Sequence, residues 1–203
     1  MRAEVISYKI RKFGFNVGQA TLTFAGRKDF ENRSLDLIIF KADGFNFYDE
    51  EKIYLDPDTF CPVLVERDLD IFGKKEKIVE EYSNVEGKIT IAKESGGKKT
   101  RQVLQKRGVI DNIYGFIYRY RHQGLFKIGE ILNIRLPTKD FKIELIKQVK
   151  LAAAEKDFDC FYMESDPAQY KIWFDTGPQK LPLRISGAVG LANAVMIMTG
   201  YKE

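Results

Sequence analysis

Tyr54-Leu-Asp-Pro-Asp-Thr-Phe-Cys-Pro-Val-Leu-Val-Glu-Arg-Asp68 holds the pattern that decides the fold. Its start is a turn: Pro57 presets φ for the second turn position, and the Asp56 carboxylate reaches the backbone two residues on. The remainder alternates. Val63, Val65, Leu69 and Ile71 point one way, while Leu64, Glu66, Asp68 and Asp70 point the other, giving a strand with one dry and one wet face. Asp56 and Asp58 lack the fixed spacing of a calcium loop, so turn geometry accounts for them better than a metal does.

Short turn and alternating strand repeat on both sides of this stretch. Ala3–Ile10 alternates, Phe13-Gly-Phe-Asn-Val-Gly18 turns the chain, and Ala20–Phe24 returns as the second arm of a hairpin. Gly18 marks a bend or the close approach of another strand. Gly26–Ser34 reads as a polar loop, Leu35–Lys41 as a strand, and the acidic Asp49-Glu50-Glu51 as a short turn dividing Asn46–Leu55. Downstream, Gly73, Glu86-Gly87 and Ser95-Gly-Gly97 punctuate a meander of strands over Ile78–Val85, Lys88–Ala92 and Thr100–Leu104. Further strands fall at Ile131–Leu136, Phe141–Val149, Phe158–Met163, Tyr170–Phe174 and Leu181–Ile185. Ala188–Tyr201 closes the chain in β-compatible residues, although Ala192–Met198 also suits a helix.

One segment breaks the rhythm. Asp111 is the expected N-cap of a helix in which Ile113, Phe116, Ile117 and Tyr120 fall at i, i+3, i+4 and i+7, ending near His122 and Gly124. About eleven residues is too short to stand alone in water, so the apolar stripe needs a sheet face to pack on. The expectation is a single, mainly β domain over 1–203. It is a strongly bent antiparallel sheet, or incomplete β-barrel, of about 10–12 strands in meander order, with one short helix packed on the concave face.

Composition narrows the chemistry. The 203 residues are 44% apolar and 31% charged, which is globular rather than disordered. Lys+Arg 33 against Asp+Glu 29 leaves a net charge of +4, spread without the basic stripe of a nucleic-acid binder. No apolar run approaches the ~18 residues that cross a bilayer. Cys61 and Cys160 are either a disulfide pair or two small buried thiols. The single His122 stands without a nucleophile or orienting partner in its neighbourhood of sequence, and no closely spaced ligand set for a metal occurs. With no phosphate loop, nucleophile elbow or C-x-x-C either, the expectation is a non-enzyme without catalytic residues, cofactor or metal.

Aromatic residues leave two readings open: 15 Phe, 10 Tyr and 1 Trp either fill an ordinary β core or line a cavity. In the second reading Phe116, Ile117, Tyr120, Trp173 and Val195 would meet a lipid or other hydrophobic ligand on the concave face, with Ala188–Met198 as a wall.

Several landmarks together resemble DUF3108, a bacterial family of unknown function found mainly as exported, periplasmic proteins. They are Gly14-Phe-Asn-Val-Gly18 with Ala20-Thr-Leu, Leu55-Asp-Pro-Asp-Thr59 followed by Pro62, the helix opening at Asp111, Phe126-Lys-Ile-Gly129-Glu, Phe158-Asp-Cys160, and Ile172-Trp173 leading to Leu181-Pro182. They run in the family's order over nearly the whole chain. Two places depart from its pattern: Ala152-Ala-Ala-Glu-Lys-Asp, where a Pro- or Gly-bearing turn is commoner, and Cys61. The resemblance implies an exported β-rich domain and brings no catalytic residues. Met1 is followed almost at once by a strand, which fits a cytosolic protein or a mature form whose signal was replaced. The leading functional expectation is a periplasmic, non-enzymatic binding or carrier-like module for a hydrophobic cell-envelope component. The alternative is a structural or interaction protein that offers its sheet face or strand edges to an envelope protein, with no small ligand.

Overall fold

Alternation along the chain becomes pairing in space in the computed structural model, which describes residues 3–188 and 194–203. Eight strands form a first meander: β1 (Glu4–Lys12), β2 (Phe15–Phe30), β3 (Arg33–Gly44), β4 (Phe47–Leu55), β5 (Pro62–Ile71), β6 (Lys74–Ser83), β7 (Lys88–Ser95) and β8 (Lys98–Gln105). Helix α1 (Ile113–Gln123) follows. A second meander comprises β9 (Ile131–Leu136), β10 (Lys139–Ala153), β11 (Lys156–Asp166), β12 (Lys171–Asp175), β13 (Pro182–Ser186) and β14 (Val195–Lys202). The antiparallel pairing of β1 with β14, from Val5 opposite Lys202 to Arg11 opposite Val195, joins the two into one 14-stranded sheet.

The sheet is not closed, because β8 and β9 lie at its two ends. Lys106–Asp111 straps the gap instead. Lys106 N donates to Gly87 O (2.7 Å), Ile110 N to Asn84 Oδ1 (3.0 Å) and Asp111 N to Arg135 O of β9 (2.6 Å). Lys106 Nζ adds bonds to Leu136 O and Asp140 Oδ1, both 2.6 Å. These contacts satisfy part of the open edge that a barrel would otherwise abolish.

The mainly β, incomplete-barrel expectation matches this architecture, with local differences. Fourteen strands form among the described residues, above the 10–12 expected, because each alternating run pairs as a strand of its own. Gly26–Ser34 is not a loop. Glu31 and Asn32 take positive φ (46° and 63°) in a two-residue turn, and pairs such as Asp29 opposite Ser34 extend the hairpin. Ala154-Glu155 turns the same way between β10 and β11 (φ 46° and 60°), without Gly or Pro. Asp49-Glu50-Glu51 does not divide Asn46–Leu55 but runs through β4. Gly18 sits where a Cβ would collide with Asp43 O of β3, so the close strand approach is real. Both cysteines are free and buried, Cys61 before β5 and Cys160 in β11, on opposite meanders. Val195–Lys202 is strand, so the helix alternative over Ala192–Met198 does not hold from Val195 onward; the part of it, and of the Ala188–Met198 wall, that falls on 189–193 lies outside the described residues.

Helix α1 lies against the inner face and fills it. Its N-cap is Asn112 rather than Asp111: Asn112 Oδ1 accepts from Tyr114 N (2.9 Å) and Gly115 N (3.3 Å). Asp111, one residue early, pairs with Arg119 instead (2.6 Å). The Tyr114 ring stacks on Phe40 of β3 at 4.2 Å and Tyr118 on Phe24 of β2 at 4.7 Å. Tyr120 meets Phe174 of β12 at 5.7 Å, so rings from both meanders close on one helix. Gly124 is required at the helix end because any Cβ there would press into the Tyr120 ring. Phe40→Ala is expected to lower unfolding free energy by about 3–5 kcal/mol, and Asn112→Ala by about 1 kcal/mol. Urea denaturation checks both.

Candidate functional site

The groove at the N-terminal end of α1 gathers charge inside the barrel wall. Strict alternation along β4 turns Phe47, Asp49, Glu51, Ile53 and Leu55 inward, so two carboxylates share the buried face with apolar neighbours. Arg67 of β5 meets them. Its guanidinium grips Asp49 in a two-pronged pair (Nε–Oδ1 2.8 Å, Nη2–Oδ2 2.6 Å) and approaches Glu51 Oε1 at 3.2 Å. Asn112 Nδ2 donates to Glu51 Oε2 (3.2 Å), so the residue that caps the helix also tethers this acid. Glu80 on β6 accepts from Tyr82 Oη (2.5 Å). A cavity of about 290 Å³ opens here, lined by Glu51, Arg67, Glu80, Asn112, Ile113 and Tyr170 among others.

Three carboxylates around one guanidinium cannot all be comfortable as anions. Burial pushes the Glu51 carboxyl up to about 7; Arg67 and Asn112 pull it down, while the Asp49 charge adds to the rise. Burial likewise raises Glu80, opposed by its bond from Tyr82. The arrangement sets Glu51 to exchange its proton near neutral pH, and the cavity lining matches Glu51 and Glu80 with Arg67 and Lys139.

A second cleft, about 350 Å³, lies at the other end of the helix between Glu4, Tyr118, Arg121, His122, Gln179 and Tyr201. Arg121 is buried, pairs with both Glu4 oxygens (2.5 and 3.1 Å) and donates to Gln179 O (3.3 and 3.2 Å). His122 packs edge-on against Tyr118 at 4.5 Å; burial and the Arg121 charge lower its pKa, so the ring is neutral at pH 7.

Of the residues singled out for a concave-face ligand, the structure brings Phe116, Ile117 and Tyr120 together and buries all three. Trp173 and Val195 stand elsewhere. Ile172 and Phe174 turn inward, so Trp173 between them must turn outward, where it packs on Tyr162 (4.8 Å) beneath Arg184 (4.7 Å). Met196 and Met198 likewise leave Val195 on the outer face. Period two alone separates these two from the helix. The cluster that reasoning from the sequence missed is Asp49, Glu51, Arg67 and Asn112. Its signal was present in the Phe47–Leu55 alternation, hidden by treating three adjacent acids as a solvated turn.

The DUF3108 family profile, described as protein of unknown function, matches residues 5–199. The chain belongs to the DUF3108 family. In this DUF3108 chain the Leu55–Thr59 landmark is an aspartate-capped turn: Asp56 Oδ1 accepts from Asp58 N (3.2 Å), Thr59 N (2.9 Å) and Thr59 Oγ1 (2.8 Å). Among solved structures it is similar to a beta-barrel-like protein of domain of unknown function DUF1849 from Brucella abortus. The TM-score is 0.56 at 8% identity, over 98% of this chain and 97% of that one, a likeness of fold. No curated protein matches the chain.

Two outcomes test the acidic cluster. Arg67→Met leaves Asp49 buried without its partner and is expected to cost about 3–5 kcal/mol in urea denaturation. Glu51 binds a proton more tightly folded (about 7) than unfolded (4.5). Its contribution is therefore fully present below 4.5 and is lost as pH rises through 7. Glu51→Gln should abolish that loss, gaining on the native chain by about 3 kcal/mol across that pH window. Parallel denaturation series across the window measure the difference.

Proposed function

We propose that this DUF3108 chain is an exported, non-enzymatic protein of the cell envelope that works as an interaction module, offering the β9 edge of its open sheet to a protein partner. The observation that carries the reading is the contrast between the two sheet ends. The β8 edge is guarded by Lys98, Lys99 and Arg101, all exposed, in the manner of strands kept from pairing. The strap covers only the C-terminal half of β9, at Arg135 and Leu136. Leu125, Ile128 and Ile131, at and before its N-terminal half, are exposed apolar side chains beside an open edge. An extended peptide adding to such an edge gains backbone hydrogen bonds and apolar contacts together.

Filling of the interior supports an interaction role over carriage of an apolar ligand. The expected lining residues Phe116, Ile117 and Tyr120 are all buried, and Tyr120, stacked on Phe116, packs on Phe174 of the sheet, so a ligand there would have to displace α1. The buried ionisable groups serve one another: Asp49 and Glu51 are held by Arg67, and Glu4 by Arg121. That supports the non-enzymatic reading. The envelope setting rests on the exported character that the family landmarks imply.

A photo-crosslinking residue placed at Ile128 or Ile131 in cells should capture a discrete protein, and one placed at Arg101 should not. Equal capture at both edges, or none at β9, overturns the assignment. Protein purified without detergent should give its bare mass in native mass spectrometry; a stoichiometric lipid adduct would return the carrier reading. The tagged product of the full gene should fractionate with the periplasm, and recovery in the cytoplasm removes the envelope setting.

A further inference from the structure

Four phenylalanines stand in solvent on one margin of the sheet: Phe13, Phe15, Phe45 and Phe72 are 76%, 75%, 85% and 70% exposed. Phe13, Phe45 and Phe72 occupy the turns of three successive hairpins, β1–β2, β3–β4 and β5–β6, and Phe15 opens β2 beside the first of them. The turns touch. Phe45 N donates to Val17 O (3.4 Å) and Phe72 N to Asn46 O (2.8 Å). With strands about 4.8 Å apart, successive hairpins lie roughly 10 Å apart, and the aromatic row covers roughly 20 Å.

Folding does not account for these rings. Phe13-Gly14 and Phe72-Gly73 are two-residue turns with positive φ at both positions (50° and 85°, 53° and 79°). Asn or Asp is the favoured first residue there, and a bulky side chain pays the left-handed penalty. Phe60 also has positive φ (54°), but its ring is buried against Tyr118, so core packing offsets the strain. At Phe13 and Phe72 water meets the ring.

The same tips carry positive charge. Arg11 and Lys12 flank the first turn, Lys74 and Lys75 follow the third, and Lys98 follows the neighbouring β7–β8 turn. Against them stand Asp43 and Asp70, and the Asp70 carboxylate is engaged by Gly73 N (2.9 Å). Lys12 Nζ lies 5.7 Å from the centre of the Phe13 ring. Rings on separate convex tips, interspersed with glycine, offer a protein no groove and need a separate pocket each. A bilayer interface takes each ring independently and attracts the cations around them.

We infer that this rim is a membrane-docking surface that inserts Phe13, Phe15, Phe45 and Phe72 into the interface of an anionic phospholipid bilayer. The inference stands apart from the β9 edge, which involves other strands and other side chains.

Co-sedimentation of the intact chain with vesicles tests it. Vesicles of phosphatidylglycerol and phosphatidylethanolamine should pellet the protein, and phosphatidylcholine vesicles should pellet far less. Phe13→Asn with Phe72→Asn should lower the partition coefficient by about tenfold or more. Because Asn suits both turns, the urea midpoint of that double variant should hold or rise, separating lost binding from lost folding. Lys74→Gln with Lys75→Gln should weaken binding about tenfold and flatten its salt dependence. Native protein left in the supernatant at low salt, equal binding to both vesicle types, or a double variant that pellets like the native chain would overturn the proposal. So would self-association without vesicles that the double variant abolishes, since the rim would then be an interface between copies. Crosslinking through Ile128 should be unchanged in the double variant, so failure of one reading leaves the other standing.

Discussion

The ladder between β1 and β14 is the constraint on which the rest of the structure depends. It is the seam that turns two meanders into one sheet, and the two halves meet α1 only because that seam fixes their relation. A register irregularity at Ser7/Tyr8 sits on it, and Tyr8, buried beside the seam, donates from Oη to Pro182 O of β13 (2.9 Å). Burial of Tyr8 raises its hydroxyl pKa well above that of a free tyrosine, which favours keeping the proton this bond needs. A side-chain bond thus reinforces the place where backbone pairing is least regular.

From that seam the sheet bends round the helix, and the ends of the helix inherit different surroundings. Its N-terminus is written into the acidic cluster through Asn112, whose oxygen caps α1 and whose nitrogen holds Glu51. Its C-terminus is pinned by Arg121, whose guanidinium reaches Glu4 on β1 and Gln179 before β13. A helix too short to persist alone is therefore tied at both ends by polar contacts and along its length by stacked rings. The apolar volume that a curved sheet would offer to a ligand is occupied by the chain itself.

Much of the fold was legible because strand alternation and turn chemistry are local. Asp56-Pro57-Asp58-Thr59 announced its turn, and Gly18 announced a close approach, each through one residue's own geometry. Legibility failed where local composition pointed against pairing. Glu31-Asn32 and Ala154-Glu155 turn without glycine or proline, and Asp49-Glu50-Glu51 looked solvated although its outer members face the interior. The site was less legible than the fold. Trp173 drew notice as the sole tryptophan, yet its neighbours' burial sends it outward, while Arg67, which shares the parity of Val65 and Leu69, drew none. What makes Arg67 distinctive is the register of β4 against β5, which sets it opposite Glu51. No single strand carries that information.

The sheet order also dictates how the chain must assemble. Of the thirteen ladders among the described residues, twelve join strands consecutive in sequence, and only β1–β14 joins residues from opposite ends of the chain. The local ladders close short loops and form early, whereas the seam must close a loop of nearly the whole chain and forms late. Until then two half-sheets expose their inner faces, the state in which β-rich chains are most prone to stick to one another. Helix α1 lies between the meanders in sequence, so it is at hand to cover those faces before the first strand meets the last.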